Sequence, residues 1–500
     1  MKNSKWIGTA LGLALCSTAL ASCSQGGNSS NQATSGSANG SSEVALDSKL
    51  EKQLREIIAN APANGLKPDL FLKGNESGAA LRDAGLRYAQ ALAQGYSDPT
   101  KIFPIYTIPR PSGDIQQGFQ QAVQKGDLTS WFASLPPQTD EYRALSQAHL
   151  HYLQLASKTP NFQAVPDGAP IKIGSTDKRV PALAAALTEM GYLGGQEQPD
   201  EPRGAKRGVN RQPSAAAPQG RYSPQMAAAV KRLQTDFGLK ADGVVGGNTL
   251  TAVNLGPAGL ARACAIAMER LRWMQRNPPA TRIDVNIAAT ILDYWRDGKH
   301  VDRREVVAGE PDKPTPQIEA PIVNLVAYPT WTVPKSIAEA EISQKSSSWL
   351  QQNNFTMKNG QYVQDWGPKN SLGIVKFDMD DKYSIYLHDT PAKALFGLPE
   401  RHRSHGCVRV QNAVAFANAI ASEEGVADQF QKAMAAQKEG FVKLPNPIPV
   451  RLIYQTAFWD GSRIQFRPDV YGWDDNVAAS LGLVRGVKWA PVQQSGDIGP

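Results

Sequence analysis

The sequence predicts a multidomain α+β protein that is helical in its first half and mainly β in its C-terminal part. Three observations predict this class. A chain of 500 residues is too long for one hydrophobic core. Between residues 46 and 158, apolar residues recur every three or four positions, as in amphipathic helices. Beyond Pro278-Pro279 the pattern changes to the alternation of apolar and polar residues that is typical of strands.

The charge of the chain limits its partners. The formal net charge is +7, and the basic residues are spread along the whole sequence. We interpret most of this charge as a solvated surface, with weak attraction to anionic polymers as the alternative. No compact run of Lys and Arg with interleaved aromatic residues occurs, so we predict no nucleic-acid partner.

The N-terminus has the features of an export signal. Lys2 and Lys5 precede an apolar stretch over residues 6–20. This stretch is shorter than the roughly 20 residues that a membrane-spanning helix needs. We therefore predict a signal peptide over residues 1–22 rather than a membrane helix.

The signal peptide ends in Leu20-Ala-Ser-Cys23, which resembles the lipobox of bacterial lipoproteins. The resemblance implies that Cys23 is lipidated and anchors the chain to a membrane; the alternative is ordinary cleavage after a small residue. Ser24 rather than Asp follows the cysteine, so we expect the outer membrane, on its periplasmic face. Residues 23–44 are rich in Gly, Ser, Asn and Gln and predict a flexible tether.

The remaining cysteines do not suggest a disulfide framework. Cys16 leaves with the predicted signal peptide, and Cys23 is the predicted lipid site. Cys264 lies in an apolar helical pattern over residues 261–268 that predicts a buried face. Cys407 lies in a polar, glycine-containing segment and needs a different explanation.

Residues 45–165 predict a helical scaffold, and residues 168–256 a second unit. In this unit a polar loop over 194–220 separates helical segments at 180–190 and 224–237. The glycines of Leu-Gln-Thr-Asp-Phe-Gly-Leu-Lys-Ala-Asp-Gly-Val-Val-Gly-Gly-Asn-Thr-Leu permit tight turns. The unit resembles a three-helix peptidoglycan-binding domain, which implies peptidoglycan as a ligand. The alternative is a domain that serves only as scaffold.

Residues 257–278 predict a connector helix in which Met268-Glu-Arg-Leu-Arg-Trp273 pairs apolar residues with a basic face. Residues 280–458 then predict a mainly-β domain, with a polar, partly helical insertion over 331–367 near one end of the sheet. Residues 459–500 predict an extension with a disordered end. The predicted strands of the β domain cover residues 282–287, 290–295, 305–308, 322–326, 373–377 and 383–387.

One segment carries the chemistry: Arg401-His-Arg-Ser-His-Gly-Cys-Val-Arg-Val410. A thiol is a nucleophile only as thiolate, so it needs a lowered pKa or a base. Four cationic or imidazole side chains precede Cys407 here, and Arg409 follows it. Gly406 lets the backbone turn closely, so that N–H groups can point at a developing oxyanion. His388 ends a predicted strand 19 residues earlier, and the simplest interpretation is a Cys–His dyad.

Two alternatives remain for this segment. His388, His402, His405 and Cys407 supply four possible zinc ligands, but their spacing differs from that of common zinc sites, so we predict no metal. Cys407 could also be purely structural. Among the histidines, we expect His402 to be solvated within its run of charges. We rank His388 above His405 as the base, because a strand end holds an imidazole rigidly.

Ser404-His-Gly-Cys407 followed by Val408-Arg-Val410 resembles the active-site signature of L,D-transpeptidases with a YkuD-type catalytic domain. Segments 369–373, 386–391 and 447–454 resemble the larger members of that family. The resemblance implies a helical scaffold, an inserted peptidoglycan-binding domain and a mainly-β catalytic domain with a lid-like insertion.

The resemblance also implies a two-step reaction that needs no cofactor. Cys407 attacks the carbonyl after the third residue, usually diaminopimelate, of a donor tetrapeptide stem. His388 acts as base, and the terminal D-alanine leaves. The amine of an acceptor diaminopimelate then resolves the thioester into a 3→3 cross-link. The alternatives are water as acceptor, a protein lysine as acceptor, or an inert peptidoglycan-binding envelope protein.

The residues around the dyad receive implied roles from the same resemblance. Backbone N–H groups of Gly406 and Cys407 hold the oxyanion, and Ser404 and His405 belong to the same oxyanion and substrate-binding loop. Arg409 orients the loop or the donor carboxylates. Tyr386 lines the pocket, and the insertion over 331–367 caps it.

Overall fold

The computed structural model describes residues 45–194, 220–491 and 499, and Val44–Pro500 form one compact unit. The predicted signal peptide, Cys23 and the tether lie outside the described residues. So do most of the polar loop, over 195–219, and nearly all of the chain end. Within the described ranges, no helix combines the length and the apolar character needed to cross a bilayer.

The N-terminal region is helical, as predicted. Asp47 begins its first helix by accepting the N–H of Leu50 at 2.7 Å, and Asp114 caps a later helix through the N–H of Gln117 in the same way. Leu54, Tyr88 and other buried residues of these helices form one core. The helices are α1 (Ser48–Ala59), α2 (Gly78–Gln94), α3 (Pro99–Ile102), α4 (Ile115–Lys125), α5 (Leu128–Ser134) and α6 (Asp140–Lys158).

Three helices form the next unit, again as predicted: α7 (Val180–Glu189), α8 (Pro224–Asp236) and α9 (Asn248–Val253). The amide of Gln234 fixes the glycine-rich turn between the last two. Its Nε2 donates to the carbonyl of Val244 at 3.1 Å, and its Oε1 accepts the N–H of Gly243 at 2.8 Å. Gly243 has φ +77°, a conformation that favours glycine.

The long helix α10 (Gly256–Trp273) follows, and the prediction of a basic face on it is wrong. Arg272 and Glu269 are fully buried and form an ion pair of 2.6 Å. Arg272 also donates to the hydroxyl of Tyr142 at 2.7 Å. The helix packs between other elements, so its arginines need internal partners. Cys264 is buried on this helix with a free thiol, as predicted.

The C-terminal part contains a nine-stranded sheet, a three-stranded sheet and a hairpin. Its strands are β1 (Arg282–Asn286), β2 (Ile291–Arg296), β3 (Lys299–Gly309), β4 (Glu319–Ala327), β5 (Trp331–Thr332), β6 (Phe355–Lys358), β7 (Gln361–Gln364), β8 (Val375–Met379), β9 (Leu387–His388), β10 (His402–Ser404), β11 (Val408–Val410), β12 (Gly440–Ile453), β13 (Ala457–Trp459) and β14 (Ile464–Phe466). Its helices are α11 (Lys335–Ile337), α12 (Ser347–Gln352), α13 (Ala413–Glu423), α14 (Ala427–Ala435) and α15 (Trp473–Ser480).

The large sheet closes on itself. Its order is β10-β3-β11-β9-β8-β4-β12-β1-β2, and β2 also pairs with β3. Apolar residues of its inner face pack with α13 and α14 around Phe416, Ile420 and Phe430. The strand predicted over 383–387 is much shorter than expected. Ser384 has φ +58°, and the carboxylate of Asp381 accepts nearby N–H groups, so this segment turns instead.

The insertion folds as a small layer of its own. Strands β5, β7 and β6 pair in that order, and α11, a π-helical turn (Ala338–Ile342) and α12 accompany them. Trp331, Phe355 and their neighbours form a separate core, and Tyr386 of the catalytic region packs against it. The sequence predicted a partly helical insertion here, and the structure adds the three-stranded sheet.

The C-terminal extension joins the other units. The hairpin of β13 and β14 enters the core of the three-helix unit, where Phe466 stacks on Phe237 with 5.2 Å between ring centroids. Val477 and Ala478 of α15 belong to the scaffold core. Asp474 forms a buried ion pair with Arg270 of α10 at 2.6 Å.

Candidate active site

Two short parallel strands bring the predicted site residues together. β11 pairs with β9 so that Val408 lies opposite Leu387 and Arg409 opposite His388. Side chains alternate along a strand, so Leu387 and Val408 enter the apolar core while their neighbours point to the other face. Cys407, Arg409, Tyr386 and His388 therefore share one face of the sheet.

Cys407 is almost completely buried, and its thiol donates to the carbonyl of Ser384 at 3.6 Å. Burial raises the pKa of this thiol to about 12. Hydrogen bonding to Tyr386 and the positive charge of Lys376 act in the opposite direction. The predicted nucleophile is therefore a neutral thiol at neutral pH, and it becomes nucleophilic only when it loses its proton.

His388 is fully buried. Burial, together with the positive charges of Arg409 and Lys376, lowers the pKa of its imidazole to about 3, so the ring is neutral at neutral pH. Neither ring nitrogen has a hydrogen-bond partner among the described residues. The predicted hydrogen bond between Cys407 and His388 is therefore not formed in this structure. In the register of the two strands, Cys407 lies opposite Tyr386 rather than opposite His388. His388 is two residues further along its strand, a distance of about 6.6 Å.

Tyr386 occupies the place next to the thiol. Burial raises the pKa of its hydroxyl well above the usual value, and the charge of and hydrogen bond with Cys407 act in the same direction. Its ring centroid lies 5.7 Å from that of His388, and the ammonium of Lys376 lies 4.4 Å from the ring centroid. Tyr386 therefore links the predicted nucleophile, the predicted base and a cation.

The sequence analysis did not identify Lys376. This residue lies on β8 directly opposite His388 and also pairs with Asp378 at 2.7 Å. Val375 and Phe377 beside it are buried in the core. The alternation in the predicted strand 373–377 indicates that Lys376 points away from the core. Only the pairing of β8 with β9, however, brings it to the face that carries His388.

The loop before the nucleophile is held by internal hydrogen bonds. The hydroxyl of Ser404 donates to the carbonyl of Cys407 at 2.6 Å and accepts the N–H of Gly406 at 3.2 Å. Thr315 donates to the carbonyl of Gly406 at 2.8 Å. Gly406 has φ +119°, which favours glycine. The Gly406 N–H already has an acceptor, contrary to the role predicted for it, which leaves the Cys407 N–H as the other predicted oxyanion donor.

The two other histidines of the segment face separate partners. Nε2 of His405 bonds to Glu341 of the insertion at 2.5 Å, and Lys313 donates to the same carboxylate at 3.2 Å. His402 is buried, so the expectation of a solvated side chain is wrong; it bonds to Glu400 and to the carbonyl of Ile287. In the part of the chain that the structure describes, no cluster of three His, Cys, Asp or Glu residues could hold a metal ion.

Comparisons with known proteins place family domains on this architecture. Residues 280–429 match the profile of the YkuD L,D-transpeptidase catalytic domain. Residues 45–148 match a scaffold domain, and residues 176–253 a peptidoglycan-binding domain. A curated Haemophilus influenzae protein, provisionally named as an L,D-transpeptidase, is 28% identical over 219 residues. The match covers 39% of this chain and 45% of that protein, so the chain spans less than half the length of this relative.

Solved structures of similar proteins include an L,D-transpeptidase from Mycobacterium smegmatis, which is 13% identical in sequence. The match covers 35% of this chain and 58% of that chain, with a TM-score of 0.22. A fragment of the L,D-transpeptidase from Xylanimonas cellulosilytica is 17% identical. The match covers 58% of this chain and 99% of that fragment, with a TM-score of 0.18. Similarities this low carry no argument about residue roles. The three matched domains, in the order found here, show that the chain carries a YkuD-type L,D-transpeptidase catalytic domain together with scaffold and peptidoglycan-binding domains.

Proposed function

We propose that this protein is an L,D-transpeptidase that forms 3→3 cross-links in peptidoglycan through a thioester on Cys407. The observation that carries the proposal is the shared face of β9 and β11, which brings Cys407, Tyr386 and His388 together within a domain that matches this family. His388 is unprotonated and can therefore accept a proton, but burial favours the neutral thiol and the neutral imidazole at rest, so the transfer belongs to the substrate complex.

In the first step, the sulfur of Cys407 bonds to the carbonyl carbon after the third residue of the donor stem. The thiol proton passes to His388 and then to the nitrogen of the terminal D-alanine, whose C–N bond breaks. This transfer requires Cys407 and His388 to approach each other, because no hydrogen bond joins them at rest. Catalytic hydrogen bonds often form only in the substrate complex. The N–H of Cys407 stabilises the oxyanion.

In the second step, the side-chain amine of an acceptor diaminopimelate attacks the thioester carbon. A new C–N bond forms, the C–S bond breaks, and the amine proton returns to the sulfur through His388. The insertion packs on Tyr386. We expect it to exclude water from the thioester and so to favour the amine as acceptor. Its contact between Glu341 and His405 holds the insertion against the loop that carries the nucleophile.

Purified protein incubated with disaccharide-tetrapeptides tests this proposal. Mass spectrometry of the products should find a 3→3 linked dimer and free D-alanine. A tripeptide without dimer would identify water as the acceptor instead, and no product at all would contradict an enzymatic role. Cys264→Ala is the matched control for Cys407→Ala, since both thiols are buried and only the second lies at the site.

We also propose that Cys23 carries lipid and holds the protein at the periplasmic face of the outer membrane. The support is the lipobox-like sequence alone, since Cys23 lies outside the described residues. Labelling of cells with a palmitate analogue should mark the wild type but not Cys23→Ala. An unlabelled wild-type protein would mean that the segment is an ordinary cleaved signal peptide.

A further inference from the structure

A tight turn over residues 309–315, here called the clamp turn, begins at the last residue of β3. Gly309 lets the chain fold back closely, because a Cβ there would overlap the carbonyl oxygen of Lys313 and lie 2.7 Å from the nitrogen of Thr315. The N–H of Gly309 also donates to the hydroxyl oxygen of Thr315 at 2.9 Å. The two ends of the turn are therefore in direct contact.

The clamp turn holds the loop that carries the predicted nucleophile at two points. The N–H of Glu310 donates to the carbonyl of Ser404 at 2.9 Å. Thr315, which is fully buried, donates through its hydroxyl to the carbonyl of Gly406 at 2.8 Å. Both acceptors lie within three residues of Cys407, so the clamp turn restrains the backbone immediately before the thiol.

The hydrogen bond from Thr315 also fixes the direction of the predicted oxyanion donor. The carbonyl of Gly406 and the N–H of Cys407 belong to the same peptide group. A trans peptide is planar, so its C=O and its N–H point in opposite directions. With the carbonyl held by Thr315, the N–H of Cys407 points away from the clamp turn and cannot rotate without breaking that bond. A donor of this kind is most effective when its direction is set before the reaction.

Tyr471 of the C-terminal extension joins the two ends of the clamp turn. Its hydroxyl donates to the carbonyl of Gly309 at 2.5 Å and accepts the N–H of Thr315 at 3.3 Å. Burial raises the pKa of this hydroxyl above its usual value, so it stays protonated at neutral pH and remains a donor. One side chain of the extension thus holds the residue that holds the Gly406 carbonyl.

The ring of Tyr471 is itself fixed by its neighbours. It stacks on Tyr454 with 5.2 Å between ring centroids and 17° between the planes. The N–H of Tyr471 donates to the hydroxyl of Tyr454 at 3.2 Å, and that hydroxyl donates to Asp469 at 2.8 Å. Tyr471 lies between β14 and α15, the two parts of the extension that enter the other cores. A well-ordered ring therefore connects the extension with the nucleophile loop.

We propose that Tyr471 is a positioning residue for the reaction at Cys407: acting through Thr315, it orients the peptide group between Gly406 and Cys407 so that the N–H faces the developing oxyanion. The inference rests on the proposed function for the identity of the reaction. Because Tyr471 acts on the oxyanion donor, its loss lowers the rate of the chemical step rather than the affinity for the donor stem.

The first test measures the kinetics of cross-linking by the full-length protein. Tyr471→Phe removes only the hydroxyl and should lower kcat about tenfold, with KM changed by less than about twofold. Thr315→Val should lower kcat at least as much, whereas Thr315→Ser keeps the hydroxyl and should retain most of the rate. The double variant should be no slower than Thr315→Val alone, because both changes act on one hydrogen bond. Independent losses that multiply to about a hundredfold, or an unchanged kcat in Tyr471→Phe, would overturn the inference.

The second test needs no activity. Hydrogen exchange of residues 404–408 should be about fivefold faster in Tyr471→Phe and Thr315→Val than in the wild type and Thr315→Ser. Tyr294→Phe is the matched control, because its buried ring also loses one hydroxyl hydrogen bond, to Glu423, within the same domain. Exchange of 404–408 that stays unchanged in Tyr471→Phe, or that rises equally in Tyr294→Phe, would overturn the inference. Faster exchange together with a wild type that forms no cross-links contradicts only the proposed function.

Discussion

At the scale of single residues, the site combines a neutral thiol with surrounding cations. Burial keeps Cys407 protonated and His388 unprotonated, while Lys376 and Arg409 place positive charge beside them. This charge favours a thiolate once it forms. It also favours a donor that carries carboxylates, since a cation–carboxylate contact is strong where water is excluded. The two positive charges therefore stabilise the thiolate only after a donor has entered the site or the thiol proton has been transferred.

We expect Lys376→Gln to slow alkylation of Cys407. The positive charge of Lys376 lowers the pKa of this thiol, so its removal raises the pKa and reduces the thiolate fraction. A change of one pH unit in the pKa gives a rate about tenfold lower at fixed pH. The measurement is the iodoacetamide rate at several pH values, with Lys376→Arg as the charge-retaining control. Equal pH profiles for the Gln and Arg variants would show that Lys376 acts only by packing.

We expect His388 to make the protein less stable in mild acid. Its pKa is about 6.5 when the chain is unfolded and about 3 in the buried site, so the unfolded state binds a proton first as the pH falls. The contribution of His388 to the free energy of unfolding is therefore fully present above pH 6.5. It is lost progressively as the pH falls from 6.5 toward 3. The loss is about 2 kcal/mol at pH 5.

Urea unfolding at pH 7.5 and pH 5 tests this expectation. His388→Gln should lose less stability between the two values than the wild type. The control is His151→Gln, since His151 is exposed and forms no ion pair among the described residues, and this variant should lose as much stability as the wild type. An identical pH dependence for the wild type and His388→Gln would contradict the burial argument.

At the scale of elements, the insertion and the nucleophile loop are joined by a small polar cluster. Glu341 on the π-helical turn accepts hydrogen bonds from His405 of the loop and from Lys313. The hydrogen bonds to His405 and Lys313, together with their positive charges, lower the pKa of the Glu341 carboxyl despite its partial burial. The carboxylate is therefore charged at neutral pH and holds the insertion over the site.

We expect Glu341→Gln to loosen the insertion. A neutral amide bonds less strongly to His405 and Lys313, so the π-helical turn should open more often, by roughly fivefold. Hydrogen exchange at residues 338–342 measures this opening, and the cross-linking rate should fall with it. Glu339→Gln is the control, because Glu339 is exposed and pairs only with Lys335 among the described residues. Unchanged exchange in Glu341→Gln would mean that packing alone holds the insertion.

Much of the architecture and part of the site could be predicted from the sequence. Helical periodicity and strand alternation predicted the scaffold, the three-helix unit and the sheet. The segment around Cys407 was recognisable because a thiol, imidazoles and glycine are adjacent in the chain. The contact between Glu341 and His405 was not, since 64 residues separate the two partners and no local pattern links them. Lys376 was missed because only the pairing of β8 with β9 brings it opposite His388.

At the scale of the whole molecule, the C-terminal extension and α10 hold the domains together. β14 completes the core of the three-helix unit, and α15 completes that of the scaffold. The sequence predicted an extension over 459–500 but not the cores that it enters, because a local pattern does not identify the surface against which a segment packs. The burial of Arg272 on α10 was unpredictable for a related reason: its partner Tyr142 lies 130 residues away.

We expect Phe466→Ala to destabilise the contact between the extension and the three-helix unit. Phe466 is buried and lies against Phe237 and Tyr152, so removing its ring leaves a cavity. Such changes cost about 3–5 kcal/mol. Chemical denaturation should show this loss, while Phe441→Ala, which changes an exposed ring, should show almost none. A loss of equal size in both variants would contradict the assignment of Phe466 to this core.

The most direct test of the central proposal is the intact mass of the protein after reaction with a tetrapeptide donor whose diaminopimelate side-chain amine is blocked, so that no acceptor amine is present. We predict an adduct of the donor minus D-alanine, carried by Cys407 in the wild type and in Cys264→Ala. Cys407→Ala should carry none and release no D-alanine. An adduct on another residue, or release of D-alanine by Cys407→Ala, would contradict the assignment of Cys407 as the nucleophile.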